Sequence, residues 1–167
     1  TIHARAFPFA EKARQQWFEL GDPQEIPYTA WIDLYFKAVF NAANAIAVLN
    51  GPALTTRRLL LDFAVRAEAV DSLPLAGVLA RLAGTQQASA ALYADWRSCW
   101  ENALLSASKA PNPPVSLHPA RKAYYMAACD SLVESGSLHA ALWPLLESWR
   151  LAAATLADQP AQQEAWT

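Results

Sequence analysis

Residues 28–49 constrain the fold more than any other stretch of the chain. They read Tyr-Thr-Ala-Trp-Ile-Asp-Leu-Tyr-Phe-Lys-Ala-Val-Phe-Asn-Ala-Ala-Asn-Ala-Ile-Ala-Val-Leu, with neither glycine nor proline to break them. Trp31, Leu34, Tyr35, Ala38, Ala42, Ile46 and Leu49 fall on one helical face, while Ile32, Phe36, Val39, Phe40, Ala43 and Ala47 cover much of the rest. A helix that is apolar nearly all the way round has to be enclosed by others, so this one is expected to be central. Pro27 stands where a first turn tolerates proline, and Asn50-Gly51-Pro52 supplies a left-handed-tolerant pair followed by a residue that cannot rejoin the helix. Asp33, Lys37, Asn41 and Asn44 interrupt the apolar surface, which argues against a membrane span and for a soluble protein.

The other segments are rich in alanine and leucine, both strong helix formers, and are separated by glycine and proline. Helices are expected at 10–20, stopped by Gly21-Asp22-Pro23 and tucked onto the body by Trp17 and Phe18. Others are expected at 59–70 with Thr55 or Thr56 as cap, at 73–83 capped by Asp71-Ser72 and closed by Gly84, and from Thr85 through Leu104. Two more are expected at 121–134 and 138–156, with Pro111, Pro113, Pro114 and Pro119 keeping 106–119 as loop. No stretch alternates apolar with polar residues as a half-buried strand would, and no fixed period repeats. The expected architecture is all-α: an irregular up-and-down helical bundle of four long helices plus two or three short ones. It forms a single domain over 1–157 with a flexible C-terminal tail at 158–167.

With 54% hydrophobic and 17% charged residues, the chain is more apolar and less charged than a typical soluble domain. Disorder is thereby excluded, and some apolar surface is expected to lie under a partner, a homodimer being one form of this. The net charge is -2, and Arg57-Arg58 and Arg121-Lys122 are the only adjacent basic pairs, so direct nucleic-acid binding is not expected. Cys99 and Cys129 sit in apolar helical segments without zinc-ligand spacing, and read as buried, reduced thiols of a cytoplasmic protein. The N-terminal residues lack the basic-then-apolar pattern of a secretory signal.

Asp33, Lys37, Asn41 and Asn44 are separated by four, four and three residues, so they share one stripe of the helix. As a binding wall, Asp33 and Lys37 would place charge and the two asparagines would supply amide donors and acceptors. The same spacing also describes the partly exposed edge of a helix carrying an ordinary ion pair. Tyr124, Tyr125, Asp130 and Glu134 decorate a second apolar segment, and Tyr124 and Asp130 join the candidate ligand-binding set. Two carboxylates on one turn fall short of a metal site, so no metal and no cofactor is expected. His3, His118 and His139 are far apart, read as tail, proline loop and helix start, and no hydrolase elbow, phosphate loop, dinucleotide or metalloprotease motif occurs. No catalytic residue is assigned.

The run 28–51, followed by Thr55-Thr56-Arg57-Arg58-Leu59 and closing with Arg121-Lys122-Ala123-Tyr124-Tyr125 and Ala140-Ala141-Leu142-Trp143-Pro144-Leu145, resembles the helical bundles that accompany nucleotidyltransferases. These are the HEPN-like, or kanamycin nucleotidyltransferase C-terminal-like, domains, and the resemblance covers about 28–157. It implies a long first helix packed with two or three more, holding a substrate or partner beside a separate catalytic domain. The nuclease members carry an arginine a few residues before a histidine; neither His118 nor His139 has one at that distance, so RNase activity is not implied. The nucleotidyltransferase signature of a Gly-Ser turn with a following Asp-x-Asp is also missing, since no Asp-x-Asp follows Gly136-Ser137. The leading expectation is a non-catalytic module that binds a small molecule or a protein partner. The alternatives are a small helical enzyme drawing carboxylates from Asp33, Asp95, Asp130 and Glu134, or an oligomerising structural protein.

Overall fold

A computed structural model describes residues 2–22 and 25–156; the tail expected at 158–167 lies outside the described residues. Seven α-helices and three 3-10 turns, with no strand among the described residues, establish an all-α helical bundle protein. The helices are α1 (Ile2–Glu19), α2 (Tyr28–Ala47), α3 (Leu59–Glu68), α4 (Pro74–Leu82), α5 (Ala90–Ala107), α6 (Lys122–Glu134) and α7 (Leu138–Leu156). Four of them, α1, α2, α5 and α7, run 18 to 20 residues and the others 9 to 13. The chain divides into two compact units, Thr1–Gln87 and Ala88–Thr167.

In the first unit α2 is the centre, with α1 packed along it and α3 and α4 against its sides. Trp17 of α1 lies beside Tyr35 and Gln16 beside Asn41, so α1 and α2 run antiparallel. By length and composition Tyr28–Asn50 could also cross a bilayer, but the core helix of a bundle has the same character, and the contacts of α2 with α1, α3 and α4 are those of a core helix.

The first helix starts at Ile2 rather than near residue 10, with Pro8 inside it and His3 in its first turn rather than in a tail. The helix also packs against the 3-10 turn Val48–Asn50. The aromatic pair does not tuck inward as expected: Phe18 is 75% and Trp17 53% exposed. Adjacent residues point about 100° apart on a helix, so Trp17 leans toward Tyr35 while Phe18 turns away.

Three expected caps are replaced. No side chain caps α3, whose entry is a turn closed by the Arg58 amide donating to the Thr55 carbonyl at 2.9 Å. Asp71 adopts φ 55, the Ser72 hydroxyl donates to the Val70 carbonyl at 3.1 Å, and Pro74 starts α4 uncapped. Thr85 is buried and ends α4: after Gly84, at φ 68, its amide donates to the Ala80 carbonyl at 2.9 Å. The cap of α5 is Ser89, whose hydroxyl accepts from the Leu92 amide at 3.1 Å.

In the second unit α5 and α7 pack along each other and α6 closes the bundle. Trp100, Leu104, Leu117, Met126, Cys129, Leu142, Leu145 and Leu156 form the core. Leu117 anchors the proline-rich stretch, which contains the 3-10 turns Val115–Leu117 and Pro119–Arg121 rather than loop alone. Cys129 is buried as expected, but Cys99 is exposed, because Trp100, one step further round α5, takes the core position.

The Trp100 ring is 1% exposed, with Tyr125 edge-on at 6.2 Å. Trp100→Ala should lower unfolding free energy by about 3–5 kcal/mol in urea titrations, as removal of a large core aromatic does. A loss below about 1 kcal/mol would mean that this indole does not organise the second unit.

Candidate functional site

On α2 the four polar residues keep their common line but meet three different surroundings. Lys37 Nζ lies 2.6 Å from Asp33 Oδ2 on the partly exposed edge, an i,i+4 pair worth a few tenths of a kcal/mol. One turn further on, the Asn41 side-chain amide reaches α1 and lies 2.9 Å from the side-chain amide of Gln16. Asn44 is fully buried: its Oδ1 accepts from the Leu54 amide at 2.6 Å, and its Nδ2 donates to the Leu54 and Phe40 carbonyls at 3.2 and 3.3 Å. The two asparagines therefore tie α1 and the chain after α2 to the central helix, and of the four only Asn44 is closed to solvent.

Tyr124 and Asp130 both belong to α6 but stand roughly 120° apart around it. Tyr124 is exposed, its ring edge-on to Tyr125 at 5.7 Å. Asp130 faces α5, where its Oδ1 accepts from Arg97 Nη1 at 2.7 Å and from the Tyr93 hydroxyl at 3.2 Å. Arg97 also approaches Glu101 at 3.5 Å, and Glu101 accepts from Lys122 at 2.6 Å, giving a strut of alternating charge between α5 and α6. Burial, with Cys129 and Asp130 adding to it, pushes the Tyr93 hydroxyl up to about 12. The Lys122 hydrogen bond holds the Glu101 carboxyl below its usual range. An acid and base pair drawn from Asp33, Asp95, Asp130 and Glu134 would need convergence; Asp33 faces Lys37, Asp130 faces Arg97 and Tyr93, and Asp95 and Glu134 are exposed. Among the described residues no three His, Cys, Asp or Glu side chains gather as metal ligands would.

Three of the concave surfaces are lined mainly by apolar residues, whereas a fourth, of about 240 Å³, is lined by Glu101, Asn102, Leu104, Leu105, Pro119 and Lys122. None was singled out by sequence. In the first unit a groove of about 340 Å³ is lined by Ala13, Arg14, Trp17, Phe18, Val39, Ala42 and Leu82. A smaller hollow of about 100 Å³, lined by Ala43, Ile46, Leu75 and Val78 among others, shares Val39, Ala42 and Leu82 with it and so continues it along α2. In the second unit a pocket of about 250 Å³ is lined by Trp96, Cys99, Leu145, Leu146 and Trp149. Two signals were available: the adjacent Trp17 and Phe18 cannot share one face, and Ala38, Ala42 and Ala43 are too small to fill the space beside α2.

The fold and these surfaces define an all-α bundle with several mainly apolar recesses, in which Asn41, Arg97, Glu101, Lys122 and Asp130 join neighbouring helices while the other ion pairs lie within single helices. The chain matches no family model, no curated protein and no solved structure.

Asn44→Ala would leave the Leu54 amide and carbonyl buried and unpaired, so it should cost about 2–3 kcal/mol in denaturant unfolding, against about 1 kcal/mol for Asn41→Ala. Equal losses would contradict the anchoring role of Asn44. A tyrosine ionises near pH 10 when unfolded, and folded Tyr93 does so at about 12, so its contribution is fully present below pH 10 and fades as pH rises through 12. Wild-type melting temperature should therefore fall more steeply than that of Tyr93→Phe between about pH 9 and about pH 11.5. Parallel profiles would remove Tyr93 from the alkaline transition.

Proposed function

We propose that this chain is a non-catalytic helical module that binds a protein partner, and that the partner presents the apolar face of an amphipathic helix. The observation that carries the reading is the groove along α2. Its floor residues Val39, Ala42, Ala43 and Ile46 recur at i, i+3, i+4 and i+7, about 10 Å of helix. The walls are helices on both sides, α1 with Trp17 and Phe18 and α4 with Leu75, Val78 and Leu82. A channel between two helices on the back of a third has the shape and periodicity of a helix seat, and small floor residues let the incoming backbone approach closely. Phe18 and Trp17, well exposed at its wall, are the kind of aromatic anchors on which interface energy concentrates. Arg14 on the α1 wall is paired with Glu11 at 2.6 Å, so the edge of the groove carries no unbalanced charge from this pair.

The resemblance of 28–51 and 121–145 to helical domains that accompany nucleotidyltransferases agrees with a module that works beside a separate catalytic chain. It leaves the chemistry to the partner and assigns the present chain to recognition. Asp33 and Lys37, on the same helix as the groove floor, would then tune docking electrostatically rather than bind a small ligand.

The test is selection of displayed peptides against the chain, followed by affinity measurement with Ala42→Glu and Leu82→Glu. Both positions are exposed, so the variants should keep their circular dichroism. Selected peptides should carry apolar residues at i, i+3 or i+4 and i+7 and lose at least about 10-fold in affinity toward either variant. Peptides without that pattern, or undiminished binding to both variants, would reject the groove as the docking surface.

A further inference from the structure

The second unit carries a recess of a different kind, and the argument for it does not depend on the helix-docking reading. We propose that the pocket between α5 and α7 is a binding site for a small, uncharged, flat aromatic molecule held against the indoles of Trp96 and Trp149 beside the Cys99 thiol. Its volume of about 250 Å³ lies below the range of drug-sized pockets, about 300–1,000 Å³, and suits one or two fused rings.

Each helix carries two tryptophans in different situations. Trp100 on α5 and Trp143 on α7 are 1% and 0% exposed and complete the core. Trp96 and Trp149, one turn before the first and six residues after the second, are only partly buried and line the recess. Leu145 closes the bottom at 2% exposure, and Leu146 stands on the wall. Aromatic rings favour offset-stacked or edge-to-face contacts with another ring, and a polarisable sulfur adds to such contacts.

The lining also states what the site would refuse. None of its five residues is charged. Arg150 and Glu147, the nearby charges on α7, pair with each other at 3.1 Å, and burial holds the Arg150 guanidinium below its usual range. A charged ligand would lose its hydration here without gaining a counter-charge from the lining, whereas a neutral ring loses little.

Cys99 provides the readout, because it is the exposed one of two free cysteines and Cys129 is buried. The experiment is the rate of iodoacetamide alkylation at Cys99 of the folded chain, followed by mass spectrometry, with indole or with benzoate as probe. Indole should slow the reaction saturably, about 10-fold at nine times its Kd, and benzoate should not. Leu146→Trp, which fills the recess from its own wall, should abolish the indole effect, as should Trp149→Ala, while Trp149→Phe retains it. Continued resistance of Cys129 to alkylation reports that each variant is folded. An unchanged rate up to the solubility limit of indole would overturn the proposal. So would equal protection by benzoate, or protection surviving in folded Leu146→Trp.

Discussion

A helix apolar on nearly every side has to be covered, and that demand organises the first unit. Along α2 the covering is supplied in turn by α1, by α3 and by α4. Where hydrogen-bonding groups meet this apolar surround they must be paired, and Asn44 does so for the chain that follows α2. By accepting from the Leu54 amide and donating to its carbonyl, one side chain does what a neighbouring strand would do for an extended residue. Leu54 then packs into the core and fixes the approach to α3. The groove is the stretch of α2 at which α1 and α4 do not meet, so the same constraint that builds the unit also leaves its one long apolar concavity among those described.

The second unit divides its labour differently. Cohesion comes from aromatic and aliphatic packing about Trp100 and Trp143, and orientation comes from the strut running Tyr93, Asp130, Arg97, Glu101 and Lys122. Each ion pair in the strut is partly exposed, so its energetic weight is modest. Its geometry still matters, because charges alternating from α5 to α6 penalise a slipped register of one helix on the other. Tyr93 links this strut to the core, as a mostly buried ring whose hydroxyl ends on a carboxylate.

Much of the secondary structure was legible because it depends on local chemistry. The helix ending at Glu134 and the start of α2 after Pro27 follow from glycine and proline at the breaks and from helix formers between them, and the 138–156 helix runs on through Pro144. The misplaced boundaries share a cause: several residues could cap, and tertiary contacts chose among them. Thr85 is a good N-cap by type, yet burial beneath Gly84 makes it the closing residue of α4 and passes the capping role to Ser89. The first helix was expected only from residue 10, whereas it runs from Ile2 with Pro8 inside it. The stripe on α2 was legible as a line, because helical spacing fixes direction. What faces each member was not, because Gln16 and Leu54 arrive from other segments.

The apolar recesses were hidden for a related reason. A polar residue in an apolar helix announces itself, whereas an apolar residue that lines a cavity has the same letter as one that fills a core. Trp96 and Trp100 are indistinguishable by type, and only the third dimension makes one a wall and the other a filler. The energetic consequence runs through both units. Asn41, Arg97 and Asp130 join helices and Asn44 holds the chain after α2, so recognition in the groove along α2 and in the pocket between α5 and α7 would have to draw on buried apolar area and on fit rather than on directed hydrogen bonds. Selectivity would then follow from shape and from the exclusion of charge: a helix for the groove of the first unit, a flat neutral ring for the pocket of the second.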